Sequence, residues 1–314
     1  MNREVAETSN SRGIHHFAIA TAGSTILLLI AGALVTSNDA ADSVPDWPLA
    51  YGRIIPPLIG GIRYEFAHRV VAGLVAVLTL ALAVSITMGK LRGPARRWAW
   101  TAVALVVAQA LLGAARVKFG HAASIATIHA TVAQIFFITV VSLTMLTSDW
   151  WQRDLPLVAD TGSPKLRQLT IWLTLVILVQ LVLGAGFRHG AFGIMPHLIG
   201  FLVVTFMVIW TAKLANQRFG QVRDVRRWVV RLHATFGTQV ILGFLAYWAV
   251  SQARLSTQPV LLYTLIEVAH VVMGALVLAS SVLLMLSCNR LIRRTDAVAV
   301  ATASGRSQAQ GSRA

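Results

Sequence analysis

A glutamate and a histidine lie three residues apart at the start of a long apolar run. Glu65 and His68 belong to the segment Arg63–Arg69, and at this spacing they share one face of a helix. The same two residue types return near the C-terminus as Glu267 and His270. Ionisable side chains are costly to place in an apolar helix, so they indicate a function. A carboxyl group can carry protons, and a neutral imidazole can bind a metal ion.

The composition is that of a membrane protein. Of the 314 residues, 56% are hydrophobic and 12% are charged, which is about half the charged share of a typical soluble domain. The net charge is +15, but the basic residues gather in alternate loops. This is the positive-inside pattern of membrane proteins, and we expect no nucleic acid partner. The single cysteine, Cys288, excludes an internal disulfide and any multi-cysteine metal or iron–sulfur site.

The apolar runs predict an all-α integral membrane protein with eight transmembrane helices. The predicted spans are residues 15–36, 64–88, 98–115, 124–147, 169–187, 194–212, 233–250 and 260–286. Loop 37–62 is too rich in proline to be helical throughout. Basic residues in loops 90–97 and 213–231 and near the C-terminus predict that both termini are cytoplasmic and that loop 37–62 lies outside. The expected location is the cell (inner) membrane, with lipid around the helices.

A short internal repeat predicts two pseudo-symmetric four-helix bundles. The pattern Gln-x-x-Leu-Gly occurs on the third, fifth and seventh spans, at Gln109–Gly113, Gln180–Gly184 and Gln239–Gly243. A histidine follows on the next span each time, which favours a duplication into halves 15–147 and 169–290. Residues 148–168 form the predicted cytoplasmic linker, and the polar segments 1–14 and 291–314 are predicted to be disordered. The Gln-x-x-Leu-Gly runs themselves are interpreted as packing features.

Four histidines occupy matching places on the even-numbered spans. His68, His129, His197 and His270 all fall in the predicted outer half of their span. A lone histidine in a membrane helix is more often a helix contact than a ligand. Four at matched depth favour haem, because haem iron takes axial imidazoles from facing helices.

Small residues near these histidines have two interpretations. They would give a flat macrocycle clearance beside its ligand, or they would simply allow helices to approach closely. The residues concerned are Ala72, Ala126, Ala133, Gly193, Gly200 and Gly274.

Basic residues near the predicted outer ends could bind the haem propionates. Arg116 and Arg188 are the main candidates, together with Lys118, because guanidinium pairs with carboxylate in a planar fork. The alternative is that they are ordinary interfacial anchors.

The remaining histidines carry weaker signals. His15, His16 and His233 sit at predicted cytoplasmic ends, and we interpret them as structural. His121 and His189 fall in predicted outer loops next to the arginines, where surface exposure is the default and contact with a propionate the lesser alternative.

Glu65 is the acidic residue with the clearest candidate role in catalysis. One turn from a candidate axial histidine, it could pass protons to a reacting oxygen species. The alternative is an ion pair with Arg63 or Arg69 at the membrane surface. Glu267 is predicted only to hydrogen bond a neighbouring helix.

The chain resembles the haem A synthase family over nearly its whole length. The resemblance is carried by the Glu-Phe-Ala-His-Arg motif at Glu65–Arg69, the Pro-Asp-Trp-Pro-Leu motif at Pro45–Leu49, and the four histidines on eight spans. Many members have cysteines flanking the second motif, where this chain has Val44 and Ala50. It therefore resembles the cysteine-free branch, and a mechanism that needs an outer-loop disulfide or thiol does not carry over.

The resemblance implies a site and a reaction. A haem b would be held by His197 and His270, and the substrate haem O would bind near His68 and His129. Glu65 would take part in the chemistry, which oxidises a ring methyl of haem O to a formyl group through hydroxylated intermediates, using dioxygen and electrons. The product would supply haem A to a terminal oxidase. The electron donor is unidentified, and association with a haem O synthase or with a second copy of the chain stays open.

Two other classes of membrane protein share some of these features. A di-haem cytochrome b that only transfers electrons would have the four histidines but would need neither Glu65 nor the Pro45–Leu49 motif. A transporter would need spans broken at mid-membrane, and Pro196 beside His197 is the one hint of such a break.

Overall fold

The fold is built almost entirely from long helices. The computed structural model describes residues 2–89, 91, 93–119, 122–253 and 260–293. The helices in this part of the chain are α1 (Asn2–Ser37), α2 (Ile62–Met88), α3 (Ala95–Lys118), α4 (Ala123–Leu146), α5 (Asp149–Gln152), α6 (Leu166–Arg188), α7 (Met195–Phe219), α8 (Arg223–Ala253) and α9 (Leu261–Leu291). Two short strands, β1 (Val158–Ala159) and β2 (Ile292–Arg293), pair in parallel.

The prediction of an all-α membrane protein is confirmed. Within the described residues, eight helices are long and apolar enough to cross a membrane, and the short α5 is the exception. Lys90, Arg92, His121 and residues 294–314, on which several predictions rest, lie outside the described residues.

Three predicted boundaries were wrong. Helix α1 begins at Asn2, so most of the polar segment predicted to be disordered is helical, and it contains good helix formers. Arg116 and Lys118 form the last turn of α3 rather than a loop. The predicted C-terminal tail is ordered at its start, where β2 pairs with β1 of the linker. Polarity reports where a segment meets water and does not determine its backbone conformation.

Buried apolar side chains gather in two large clusters that follow the two halves of the chain. One cluster comes from α1 to α4 together with Ala275 and Ala279 of α9. The other comes mainly from α6 to α9. Helix α9 packs on α1 and α4 as well as on α6 and α8, so it joins the halves. The small side chains of Ala275 and Ala279 allow this close approach between helices.

Helix α7 is continuous through the region where a transporter would be broken. Pro196 lies in its first turn, where backbone N–H groups have no intrahelical partner, so the missing N–H of proline costs no hydrogen bond. The one sequence hint of a discontinuous span therefore marks the beginning of a helix.

Asp160 holds the linker between the halves against the start of α6. Its side chain is 3% exposed, and its carboxylate accepts hydrogen bonds from the backbone N–H groups of Leu166 (2.7 Å) and Gly162 (3.0 Å). A guanidinium nitrogen of Arg218 lies 3.8 Å from the same carboxylate. Arg218 also donates to the backbone carbonyls of Ser163 and Pro164.

We expect Asp160→Ala to destabilise the protein by about 1–3 kcal/mol, because it leaves buried N–H donors without acceptors. Thermal unfolding in detergent micelles would measure the loss. Asp149→Ala is the control, since its carboxylate is 65% exposed in a surface ion pair with Arg12 and such pairs contribute little. Equal midpoints for the two variants would contradict the role given to Asp160.

Candidate haem site

His197 and His270 face each other across the second half of the molecule. His197 lies in the first turn of α7 and His270 in α9, and their ring centroids are 6.5 Å apart with the ring planes at 80°. A metal bonded to two imidazoles at about 2.0 Å, with about 1.2 Å from each nitrogen to its ring centre, would separate the centroids by roughly 6.4 Å. The pair therefore fits an iron held between two axial imidazoles.

The ligand inventory agrees with haem. Among the described residues, no group of three or more histidine, cysteine, aspartate or glutamate side chains is placed to hold a metal ion. Two facing imidazoles alone would bind a free metal ion poorly. They are sufficient for haem iron, because the macrocycle supplies the remaining ligands.

Each of the four histidine rings lies against a glycine of the preceding helix. A Cβ atom added at Gly184 would stand 2.9 Å from Cε1 of His197, and one added at Gly32 would stand 3.2 Å from Cε1 of His68. The corresponding pairs in the rest of the molecule are Gly113 with His129 and Gly243 with His270. The sequence alone did not reveal this role of the glycines, although three of them end the Gln-x-x-Leu-Gly pattern.

We expect Gly184→Ala to lower haem retention, because the added methyl group would displace the His197 ring that it meets at 2.9 Å. A wrongly oriented ligand should cost about 10–100-fold in affinity, as loss of an orienting contact does at other metal sites. The measurement is haem content per purified protein. Gly237→Ala is the matched control, since a Cβ there meets nothing within 4 Å. Equal haem content in both variants would show that the glycine contact is irrelevant.

The glutamines of the repeated pattern contact the histidines. The side-chain nitrogen of Gln180 lies 3.1 Å from Nδ1 of His197 and donates to the His197 carbonyl at 2.9 Å. The side-chain nitrogen of Gln239 lies 3.4 Å from Nε2 of His270. Interpreting these runs only as packing features was therefore incomplete.

Two of the small residues make room for these glutamines. A Cβ at Gly200 would collide with the side-chain oxygen of Gln180, and one at Gly274 would stand 3.3 Å from the side-chain nitrogen of Gln239. Close helix packing, rather than open clearance for a macrocycle, explains these two glycines. Gly193 differs, since a Cβ there meets nothing within 4 Å.

His68 and His129 form the corresponding pair in the first half. They are close enough to interact electrostatically, and Nδ1 of each is buried without a hydrogen-bond partner. The charge of Arg116 acts on both rings, and its Nε is also buried without a partner. Arg116 therefore brings an unsatisfied guanidinium donor to the first histidine pair, as a propionate ligand would need.

The two sequence motifs of the resemblance form one hydrogen-bonded unit. The Glu65 carboxylate accepts a 2.6 Å hydrogen bond from the Arg69 guanidinium, in an ion pair whose side chains are 8% and 18% exposed. It also accepts the backbone N–H of Val44 at 3.0 Å. Arg69 in turn donates to the backbone carbonyls of Asp46 (2.8 Å) and Leu49 (3.0 Å). The ion-pair alternative for Glu65 is therefore present in the structure, with Arg69 and not Arg63 as partner.

Loop 37–62 is shaped by Asp46. Its carboxylate accepts the backbone N–H groups of Tyr51 and Gly52, both at 2.7 Å. The Gly52 N–H is the main cause that lowers the pKa of Asp46, with a smaller contribution from Tyr51. The positive φ of Gly52 (+68°) favours glycine at this turn.

Arg188 connects the two halves. Its guanidinium donates to the Ala33 carbonyl (3.1 Å) and to the Ser37 hydroxyl (2.5 Å), both on α1. The same group lies 3.9 Å from the Glu267 carboxylate, which accepts a 2.7 Å hydrogen bond from Ser37. Glu267 thus hydrogen bonds a neighbouring helix, as the sequence predicted. Arg188 lies near His270, so a propionate role would be added to this structural one.

His189 is half-buried, so the expectation of surface exposure was wrong. Burial, together with the charges of Arg116 and Arg188, lowers the pKa of His189 to about 4. The imidazole is therefore neutral at pH 7.

Two of the three histidines interpreted as structural lie within hydrogen-bond distance of other residues. A ring nitrogen of His15 lies 3.3 Å from the hydroxyl of Thr147, and one of His233 lies 2.9 Å from the Val229 carbonyl. His16 is exposed.

Comparison with known proteins gives a consistent result. The COX15-CtaA family model, described as "Cytochrome oxidase assembly protein", matches residues 62–288. A protein named Heme A synthase from Lysinibacillus sphaericus is 32% identical over 186 residues, which cover 57% of this chain and 59% of that protein. The protein of the same name from Bacillus licheniformis is 36% identical over 139 residues, covering 43% and 46%. The chain thus spans about half the length of the curated relatives it matches.

Proposed function

The chain belongs to the COX15-CtaA family of cytochrome oxidase assembly proteins, and on that premise we propose that it is a haem A synthase. It is an oxidoreductase that converts haem O to haem A by oxidising a ring methyl to a formyl group. The conversion consumes dioxygen, electrons and protons in two successive hydroxylations, and loss of water then leaves the aldehyde. Relatives that bear the name Heme A synthase support this reaction.

The observation that carries the proposal is the position of Glu65. It lies on the same helix face as His68 and is fixed between Arg69 and the outer loop. A protein that only transfers electrons through two haems needs no carboxylate there, whereas an oxidation that consumes protons does. The second half repeats the spacing at Glu267 and His270 but uses that glutamate to join helices.

Each half has a separate task in this proposal. His197 and His270 hold haem b, which supplies electrons when bound. His68 and His129 hold the substrate haem O, and Glu65 accepts or releases protons beside it. Arg116 and Arg188 bind haem propionates, with the unpartnered Nε of Arg116 as the stronger support.

The location and partners follow from the same proposal. The protein is a multi-pass protein of the cell membrane, with both termini in the cytoplasm and loop 37–62 outside. Its halves are residues 15–147 and 169–290, joined by the cytoplasmic linker 148–168. Dioxygen, haem O, membrane lipid and an electron donor are its partners.

Haem extraction tests the function directly. The protein would be purified from membranes supplied with haem O, and its extracted haems would be identified by mass. Haem A or hydroxylated haem O, beside haem B, is the expected result. Haem B alone, with haem O and oxygen available, would favour an electron-carrying cytochrome b. Absence of any haem would refute the assignment of the four histidines.

A further inference from the structure

An exposed apolar segment occupies the end of loop 37–62, directly before α2. Residues 54–59 have the sequence Ile-Ile-Pro-Pro-Leu-Ile. The four aliphatic side chains of this segment are between 54% and 82% exposed. Residues 54–62 include no charged side chain and none that can hydrogen bond. A continuous exposed apolar patch marks an interaction surface rather than a surface that faces water.

The segment lies at the level of the membrane interface. Helix α2 has 27 residues, and at about 1.5 Å per residue it is about 40 Å long. That length matches a bilayer together with its headgroup regions, which measures about 40–45 Å. The beginning of α2 at Ile62 therefore falls near the outer headgroup region, and residues 54–59 join it through Gly60 and Gly61.

The exposed face of α2 leads toward the same place. Val70, Leu74 and Val77 are exposed and recur every three or four residues, so they form one face of the helix. Because α2 is a membrane-spanning helix, we interpret this apolar face as lipid-facing. Arg63, also exposed, continues the face toward the beginning of the helix. The apolar segment of the loop ends shortly before Arg63, close to this lipid-facing surface.

The residues on either side of the segment favour a membrane interface. Arg53 and Arg63 are exposed and flank it, and an arginine can extend its charged end to the headgroups while its stem lies in apolar surroundings. Trp47 and Tyr51, each about half exposed, are of the two aromatic types that are enriched at membrane interfaces.

The backbone of the segment also suits an apolar environment. Pro56 and Pro57 have no N–H group that could be left unsatisfied. The N–H of Ile59 donates to the Pro57 carbonyl at 3.0 Å, and the N–H of Arg53 donates to the Ala50 carbonyl at 3.1 Å. An N–H group without an acceptor is costly in lipid, and these features reduce the number of such groups.

We infer that residues 54–59 insert into the outer leaflet of the membrane, at the boundary between headgroups and acyl chains, with phospholipid as the partner. The inference rests on the membrane topology proposed above but not on the proposed reaction. It also concerns Glu65, because the same loop donates the Val44 N–H to that carboxylate and accepts a hydrogen bond from Arg69. The membrane thereby holds the loop that fixes Glu65.

Single-cysteine labelling tests the insertion. Cys288, the one native cysteine, is fully buried, so a thiol-reactive fluorophore marks an introduced cysteine. In phosphatidylcholine nanodiscs, a label at Ile55→Cys should be quenched by doxyl-phosphatidylcholine and be several-fold less accessible to aqueous iodide than one at Thr161→Cys. Thr161, an exposed residue of the linker, is the aqueous reference. A label at Val77→Cys is the lipid reference.

The outcomes distinguish the possible occupants. If iodide quenched the Ile55 label as strongly as the Thr161 label, the segment would lie in water and the inference would be overturned. Shielding from both iodide and the doxyl lipid would show that a second copy or another protein covers the segment, which would also overturn it. Ile59→Cys provides a second position, so failure of one variant to fold leaves the test intact.

Hydrogen exchange tests the link between the membrane and Glu65. The double variant Ile55→Ser, Ile59→Ser changes two exposed side chains, so little packing within the protein is lost. In nanodiscs we expect several-fold faster exchange of the loop amides around Val44, because lipid no longer restrains the loop. Val77→Ser, on the lipid-facing side of α2, is the matched control and should leave that exchange unchanged.

Equal exchange in the double variant and wild type would show that lipid does not hold the loop that fixes Glu65. Neither measurement involves haem. Failure of the proposed reaction would therefore leave both results unaffected.

Discussion

His197→Ala should abolish stable haem b binding and, with it, the production of haem A. The His197 and His270 rings stand at the separation expected for two axial ligands, so removal of one leaves the iron with a single protein bond. Loss of a hydrogen bond that orients a metal-ligating side chain typically costs about 10–100-fold in metal affinity. Loss of the ligand itself should cost more. Haem content and the absorption spectrum of purified protein would measure the effect.

His233→Ala is the matched control for this experiment. His233 belongs to the same half, but its ring contacts the backbone carbonyl of Val229 and no other candidate ligand. It should keep the haem b spectrum. Retention of an unchanged haem b spectrum in His197→Ala would show that the facing pair does not hold the cofactor.

The helices and the histidine pairs could be predicted from the sequence for a physical reason. Hydropathy reports burial in lipid one residue at a time, so the eight apolar helices follow from composition along the chain. His197 and His270 then face each other because both stand near the same end of their spans, on helices that lie across one four-helix bundle from each other. That prediction needed no knowledge of side-chain conformation.

The partner of Glu65 could also have been chosen from spacing. Arg69 lies four residues after Glu65 and therefore shares its helix face, whereas Arg63 lies two residues before it and points elsewhere. The observed ion pair with Arg69 follows this rule. The further contact with Val44 does not, since no local rule brings loop 37–62 to α2.

Contacts between segments that are distant in the chain could not be predicted from the sequence. The hydrogen bond between Ser37 and Glu267 and the contacts of Arg188 with α1 join residues far apart in the chain. A single sequence gives the type of these residues but not which helices become neighbours. The contact between Gln180 and His197 had a signal in the sequence, because the repeated glutamine always precedes a histidine-bearing span.

Glu65→Gln should leave the haem b spectrum unchanged and reduce turnover by about 10²–10⁴-fold, the range that a positioned acid or base contributes. The amide keeps the size of the side chain and can still accept the Val44 N–H, but it cannot exchange protons at neutral pH. The measurement is haem A formed per bound haem b at fixed oxygen and haem O. Full haem A production by this variant would remove Glu65 from the chemistry.

Two further variants separate proton transfer from structure. Arg69→Gln removes the same ion pair and the loop contacts while keeping the carboxylate, so a purely structural role predicts that it loses at least as much turnover as Glu65→Gln. Glu267→Gln makes the same substitution three residues before the other histidine, where the carboxylate joins helices. We expect it to keep turnover within a few-fold of wild type. A loss as large as that of Glu65→Gln would contradict the special role in proton transfer given to Glu65.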